Sequence, residues 1–156
     1  MFRRVSLAAL FLLLMSSLAV VAGQDSANDK DKKVLQGNWE FVSFLVEGQD
    51  SMPKKEAGWN FFFRFDGDNI IHDKWSKDGS GEFFHNVQFT LDATKVPKWI
   101  DSSFRWTKVG RDYTGAPGIY ELKGDELRIC AGKNRPTEFS STEKNGQMLI
   151  VAKRVK

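Results

Sequence analysis

From Trp39 onward, apolar and polar residues alternate in short runs broken by Gly, Asp, Asn and Pro, which is the punctuation of strands rather than helices. Trp59, Phe61, Phe63 and Phe65 share one face, with Asn60 and Arg64 opposite. Phe83, His85, Val87, Phe89 and Leu91 are set in the same way against Phe84, Asn86, Gln88 and Thr90. Further strands are predicted at 39–47, 69–75, 99–106, 118–123, 126–131 and 148–154, giving about eight. Asp66-Gly67 and Gly124-Asp125 mark tight hairpin turns, so sequential antiparallel pairing follows. The pattern predicts an all-β fold, an up-and-down barrel or a sharply coiled sheet. Residues 107–117 and 132–147 read as irregular loops.

The first 22 residues break this pattern. Arg3 and Arg4 precede an apolar run from Leu7 to Leu14, resumed from Leu18 to Val21, and a small-residue end at Val20-Val21-Ala22. This is the layout of a secretory signal peptide. Ser16 and Ser17 interrupt the apolar run, and a charged segment follows at once, so no stable membrane insertion is expected after cleavage. No cysteine lies near Ala22 to carry a lipid. The expected location is outside the cytoplasm: periplasmic, cell-envelope or secreted. Residues 23–33 read as a flexible, solvated leader. Its end is expected to form a short helical turn or two, with Asn28 as cap, Val34 and Leu35 packing, and Gly37 as the left-handed stop. Residues 34–156 then form one domain.

Composition narrows the function. The formal net charge of +3 falls when Arg3 and Arg4 leave with the signal, which removes the electrostatic case for nucleic-acid binding. A lone cysteine, Cys130, has no partner for an internal disulfide, so stability must come from packing. Thirteen Phe and five Trp supply that core.

Motifs that carry chemistry are few. His85 is placed by the alternation on an apolar face between Phe83 and Val87, where an imidazole can meet a ligand or serve as a satisfied core residue. His72-Asp73 with His85 matches no metal-ligand spacing, and Asp66-Gly67-Asp68 misses the calcium-loop pattern, so no metal is expected. Gly110 and Gly115 lack the Lys and Ser or Thr that a phosphate loop needs, and no cofactor is implied. No nucleophile elbow is present. Asp101, Glu121 and Glu138 would have to converge to act as acid and base on a glycan, and their spacing brings no pair together. Cys130 shares a strand face with Arg128 and reads as a buried, inert thiol. Arg135 and Glu138 are expected to pair with each other or with strand-end carbonyls to fix a loop.

Four stretches carry a resemblance: Leu35-Gln36-Gly37-Asn38-Trp39-Glu40, Pro97-Lys98-Trp99-Ile100-Asp101, Gly118-Ile119-Tyr120-Glu121-Leu122-Lys123-Gly124-Asp125-Glu126-Leu127-Arg128-Ile129-Cys130, and Arg135-Pro136-Thr137-Glu138-Phe139. Over residues 35–154 the chain resembles a family of small exported, lipocalin-like domains of planctomycete bacteria. The resemblance implies a single antiparallel lipocalin-like β-barrel and carries over no catalytic residue. Gly37 and Trp39 also resemble the first-strand signature of lipocalins, which implies that Trp39 closes one barrel end beneath a basic side chain, matched here by Arg154. The chain departs from lipocalins in having no paired cysteines, which argues against a large open cavity.

The expected function is a non-enzymatic, monomeric binding or interaction module for a small apolar molecule or a cell-envelope protein, with His85, Trp59, Phe61, Phe63 and Phe89 against the ligand. The alternative is a hydrolase of envelope or extracellular polymers.

Overall fold

The alternation of apolar and polar positions becomes the inside and outside of a closed sheet. The structure, a computed structural model, describes residues 25–52, 59–76, 81–106, 111–113 and 116–156, and the side chains of all of these except 59–61, 73–76, 81–85, 104–106 and 111–113. Residues 1–22, the expected signal, lie outside the described residues. The elements are a helix α1 (25–35) and the strands β1 (Gly37–Val46), β2 (Gln49–Asp50), β3 (Trp59–Asp66), β4 (Asn69–Ser76), β5 (Gly81–Asp92), β6 (Lys98–Trp106), β7 (Arg111–Tyr113), β8 (Pro117–Lys123), β9 (Glu126–Ala131) and β10 (Met148–Arg154). Strands β1, β3, β4, β5, β6, β8, β9 and β10 form an antiparallel barrel, closed by pairing β10 with β1. β2 pairs with β1, and β7 pairs with β6.

Two elements differ from the sequence reading. Segment 107–117, expected as loop, contains β7 and the first residue of β8. The leader expected to be flexible over 23–33 is helical from residue 25, and Asn28 lies inside that helix rather than capping it. The reason is tertiary. Asn28 Oδ1 accepts from Ala93 N at 2.8 Å, Asp31 Oδ2 accepts from Tyr120 Oη at 2.6 Å and from Lys98 Nζ at 2.5 Å, and Lys32 pairs with Asp68. Each bond ties α1 to a different part of one barrel end. A polar segment with no apolar periodicity is thereby held helical by its contacts rather than by propensity.

The C-terminal end of α1 shows why this end is sealed. Its last carbonyls have no partner within the helix. Leu35 O accepts from Trp39 Nε1 at 2.9 Å, Val34 O accepts from Arg154 Nη2 at 2.5 Å, and Lys32 O accepts from Gln36 Nε2 at 3.0 Å. Arg154 Nη1 also donates to Gln36 O at 2.8 Å, and its guanidinium lies 4.2 Å from the Trp39 ring. Gly37 sits against that guanidinium with φ of +106°. Trp39 and Leu35 are fully buried, and Phe63, Phe65 and Phe89 are 2–4% exposed above them. Phe65 meets Phe89 edge-on at 5.0 Å. The described interior side chains of this half are buried.

A second apolar cluster lies on the outside of the wall. Ile119, Cys130 and Leu149 point outward and are buried, packed with Leu45, Trp99 and Phe139. The cover is segment 132–147. It is held by Ser141, whose Oγ accepts from Gly48 N at 2.9 Å and donates to Gln147 O at 2.6 Å, and by a pair of bonds between Thr142 and Asn145.

Replacing Arg154 with Ala removes the ring contact and both carbonyl bonds and is expected to destabilise the protein by about 2–4 kcal/mol, read as a lower urea midpoint at unchanged slope. Burial first, then the Asp31 hydrogen bond and the charges of Asp31 and Asp92, raise the pKa of Tyr120, which is 1% exposed. The unfolded phenol titrates near ~10, so the stabilisation is whole below that pH and is lost as pH rises above it, where the unfolded chain releases the proton first. Tyr120→Phe should cost about 1 kcal/mol at neutral pH and flatten the decline in unfolding free energy above pH ~10. An equally steep alkaline decline in the variant would contradict the assignment.

Candidate functional site

At the barrel end opposite Trp39, the mouth, described interior side chains are only partly buried. Phe41, Phe44 and Met148 pack on the core but stay half-buried, and His72 is half-buried among them. The Phe41 ring lies 5.0 Å from Phe63 and 6.0 Å from Phe44. The His72 ring stacks on Phe41 at 6.4 Å and lies 6.0 Å from Phe63. An imidazole set against rings in this way offers polar contact on an apolar surface, the usual composition of a small-molecule site.

The wall is irregular at this level. β1 has a bulge between Phe41 and Ser43, leaving Val42 51% exposed, and β5 has one between His85 and Phe83, which face His72 and Asp73 of β4. Bulges bend strands and re-aim side chains.

The sequence-predicted site residues fall in three places. Phe63 and Phe89 belong to the packed interior, Phe63 at the base of the mouth and Phe89 in the floor. The side chains of Trp59, Phe61 and His85 lie outside the described residues. The backbone register sets His85 opposite His72. His72 was missed as an interior residue. Its signal is the step of two from Ile70, which is 7% exposed on β4.

Comparison with protein-family models, curated proteins and solved structures finds no match. What the site can do must therefore be read from the residues themselves.

The carboxylates considered for catalysis are held separately on the outer wall. Arg135 donates through Nη2 to Asp101 Oδ2 at 2.8 Å and through Nη1 to Gly118 O at 2.7 Å, with its guanidinium 4.0 Å from the Trp99 ring. The expected Arg135–Glu138 pair is thus replaced by Asp101, while the strand carbonyl is used. Glu138 Oε1 accepts from Ser140 Oγ at 3.0 Å. Glu121 lies 2.9 Å from Lys123 and 3.7 Å from Arg128. Gly118 permits this corner because a Cβ there would stand 2.9 Å from the carbonyl oxygens of Cys130 and Ile100. Among the described residues no group of three or more His, Cys, Asp or Glu is placed to hold a metal ion.

Cys130 is fully buried, its Sγ donating to Ser140 O at 3.3 Å, and burial raises its pKa. Thiolate is the reactive form. Iodoacetamide at mildly alkaline pH should therefore leave the native protein unmodified while labelling it readily in urea, as followed by mass spectrometry. Rapid labelling of the native protein would show that segment 132–147 does not seal the thiol.

Proposed function

We propose that this protein is an exported, non-enzymatic binding module that takes a small apolar molecule into the barrel mouth. The observation that carries this reading is the change in exposure along the barrel interior. Trp39, Phe65 and Phe89 are sealed in the floor, whereas Phe41, Phe44, Met148 and His72 remain partly open above them. Partly exposed rings on a fixed scaffold bury further area when a ligand arrives, at roughly 25 cal/mol per Å². The described carboxylates carry no comparable argument for hydrolysis, because Asp101, Glu121 and Glu138 are engaged by Arg135, by Lys123 and Arg128, and by Ser140. Export rests on the signal-like residues 1–22, and membership of the lipocalin-like exported family rests on the motifs that resemble it. No described helix is long and apolar enough to cross a membrane.

Titration with N-phenyl-1-naphthylamine, whose fluorescence rises in apolar surroundings, tests the reading. The protein is expected to give a saturable increase, and Phe44→Asp should weaken it by about tenfold or more by placing a charge in the mouth. Met148→Gln is the milder substitution should the first fail to fold. The absence of saturable binding, or binding that ignores both changes, would remove the mouth as the site.

A further inference from the structure

The outer wall carries a groove of its own over the β5–β6 ladder. Its volume is about 510 Å³, and Asp68, Gln88, Thr90, Asp101, Ser103 and Pro117 are among the residues that line it. None of Phe41, Phe44, His72 or Met148 does. That volume falls within the roughly 300–1,000 Å³ of ligand sites. Strand alternation builds the lining. Val87 and Phe89 are buried in the barrel, so Gln88 and Thr90, both exposed, point outward. In the register Gln88 stands opposite Ser103 and Thr90 opposite Asp101, so four polar side chains share the outer face in two rows. Partners across the ladder stand about 5 Å apart and the rows about 7 Å apart. Pro117 is half-buried opposite Asp101, and Asp68 is held beside β5 by Phe89 N, which donates to its carbonyl at 3.0 Å.

The charges narrow what this groove can take. Each of its two carboxylates already has a cation: Arg135 meets Asp101 through both terminal nitrogens at 2.8 Å, and Lys32 pairs with Asp68. A cationic ligand therefore meets no unpaired carboxylate, and an anionic one is repelled by both. An apolar ligand would strip Gln88, Thr90 and Ser103 of water without replacing its hydrogen bonds. A neutral molecule that gives and takes hydrogen bonds at several points is left. The Thr and Ser hydroxyls and the Gln amide do both, and Asp101, 47% exposed after pairing, keeps lone pairs for further donors. A sugar ring carries hydroxyls around its rim on the scale of these rows, and Pro117 offers an apolar surface to its C–H face. We propose that the outer β5–β6 groove binds a neutral oligosaccharide through Gln88, Thr90, Asp101 and Ser103. These side chains stand on paired strands, which place the donors and acceptors before the ligand arrives. The site is independent of the mouth and of what the mouth binds.

Amide NMR titration of the purified full-length protein with cellohexaose, laminarihexaose and maltohexaose tests this, with an oligogalacturonate and a chitosan oligomer as anionic and cationic probes. At least one neutral hexasaccharide is expected to bind saturably, with shifts gathered on residues 88–90 and 101–103, and the charged oligomers to bind more weakly. Gln88→Leu combined with Thr90→Val removes two hydrogen-bonding side chains at exposed positions. It should weaken that binding about tenfold while the urea midpoint stays unchanged. Should the pair lower the midpoint, Ser103→Ala makes the same test with a loss of about threefold. No saturable binding by any of the three sugars, tighter binding of a charged oligomer, shifts gathered elsewhere, or undiminished binding by the variants would overturn the proposal. None of these outcomes bears on naphthylamine binding in the mouth, which is measured separately.

Discussion

The guanidinium of Arg154 joins three parts of the chain at one point. It belongs to the last strand, lies on the indole of the first, and donates to carbonyls at the end of the helix that precedes both. Trp39 and Arg154 are also register partners in the β1–β10 ladder, so the contact sits on the seam that turns an open sheet into a barrel. A cation at a helix C-terminus is favoured by the helix dipole, and its attraction to the indole face is strengthened where water is excluded. The position thus sets closure of the sheet, docking of α1 and burial of Trp39 together.

This sealed end lets the remaining surfaces specialise. The closed sheet has apolar residues on both faces of β8, β9 and β10: Tyr120, Leu127 and Ile129 inside, Ile119, Cys130 and Leu149 outside. Strands apolar on both faces need two covers. The interior supplies one and segment 132–147 the other, clamped by Arg135 at one end and by the Ser141 bonds to Gly48 and Gln147 at the other. Five described charged residues outside the mouth serve architecture: Asp31, Lys98 and Arg154 hold the helix, Asp101 and Arg135 hold the cover.

What the sequence revealed and what it hid divides along the same physical line. Strand alternation is local, and the runs at Phe63 and Phe65 and at Val87 and Phe89 point inward as the period of two requires. The hairpin turns at 67–68 and 124–125 fall where Asp-Gly and Gly-Asp stand. Only the end of α1, with Leu35 packed and Gly37 at positive φ, was legible; its extension back to residue 25 was not. Its Asn28, Asp31 and Lys32 are polar positions that become helix-fixing only when Ala93, Tyr120 and Asp68 arrive from far along the chain. Arg135 was read as pairing nearby because sequence shows neighbours, whereas its carboxylate partner, Asp101, comes from β6. His72 lay within reach of the alternation, two residues from the buried Ile70 on β4.

The bulges of β1 and β5 lie at the level of Phe41 and His72. A bulge adds a residue to one strand, increases local twist and interrupts pairing. On β1 the bulge at Val42 stands two residues beyond Glu40, the last position paired with β3, and on β5 it stands opposite the step from His72 to Asp73. The end of the β1–β3 ladder after Glu40 and the placing of Phe41 and His72 against Phe63 thus fall at the same level of the barrel as the two irregularities, as a bulge interrupts pairing and re-aims side chains.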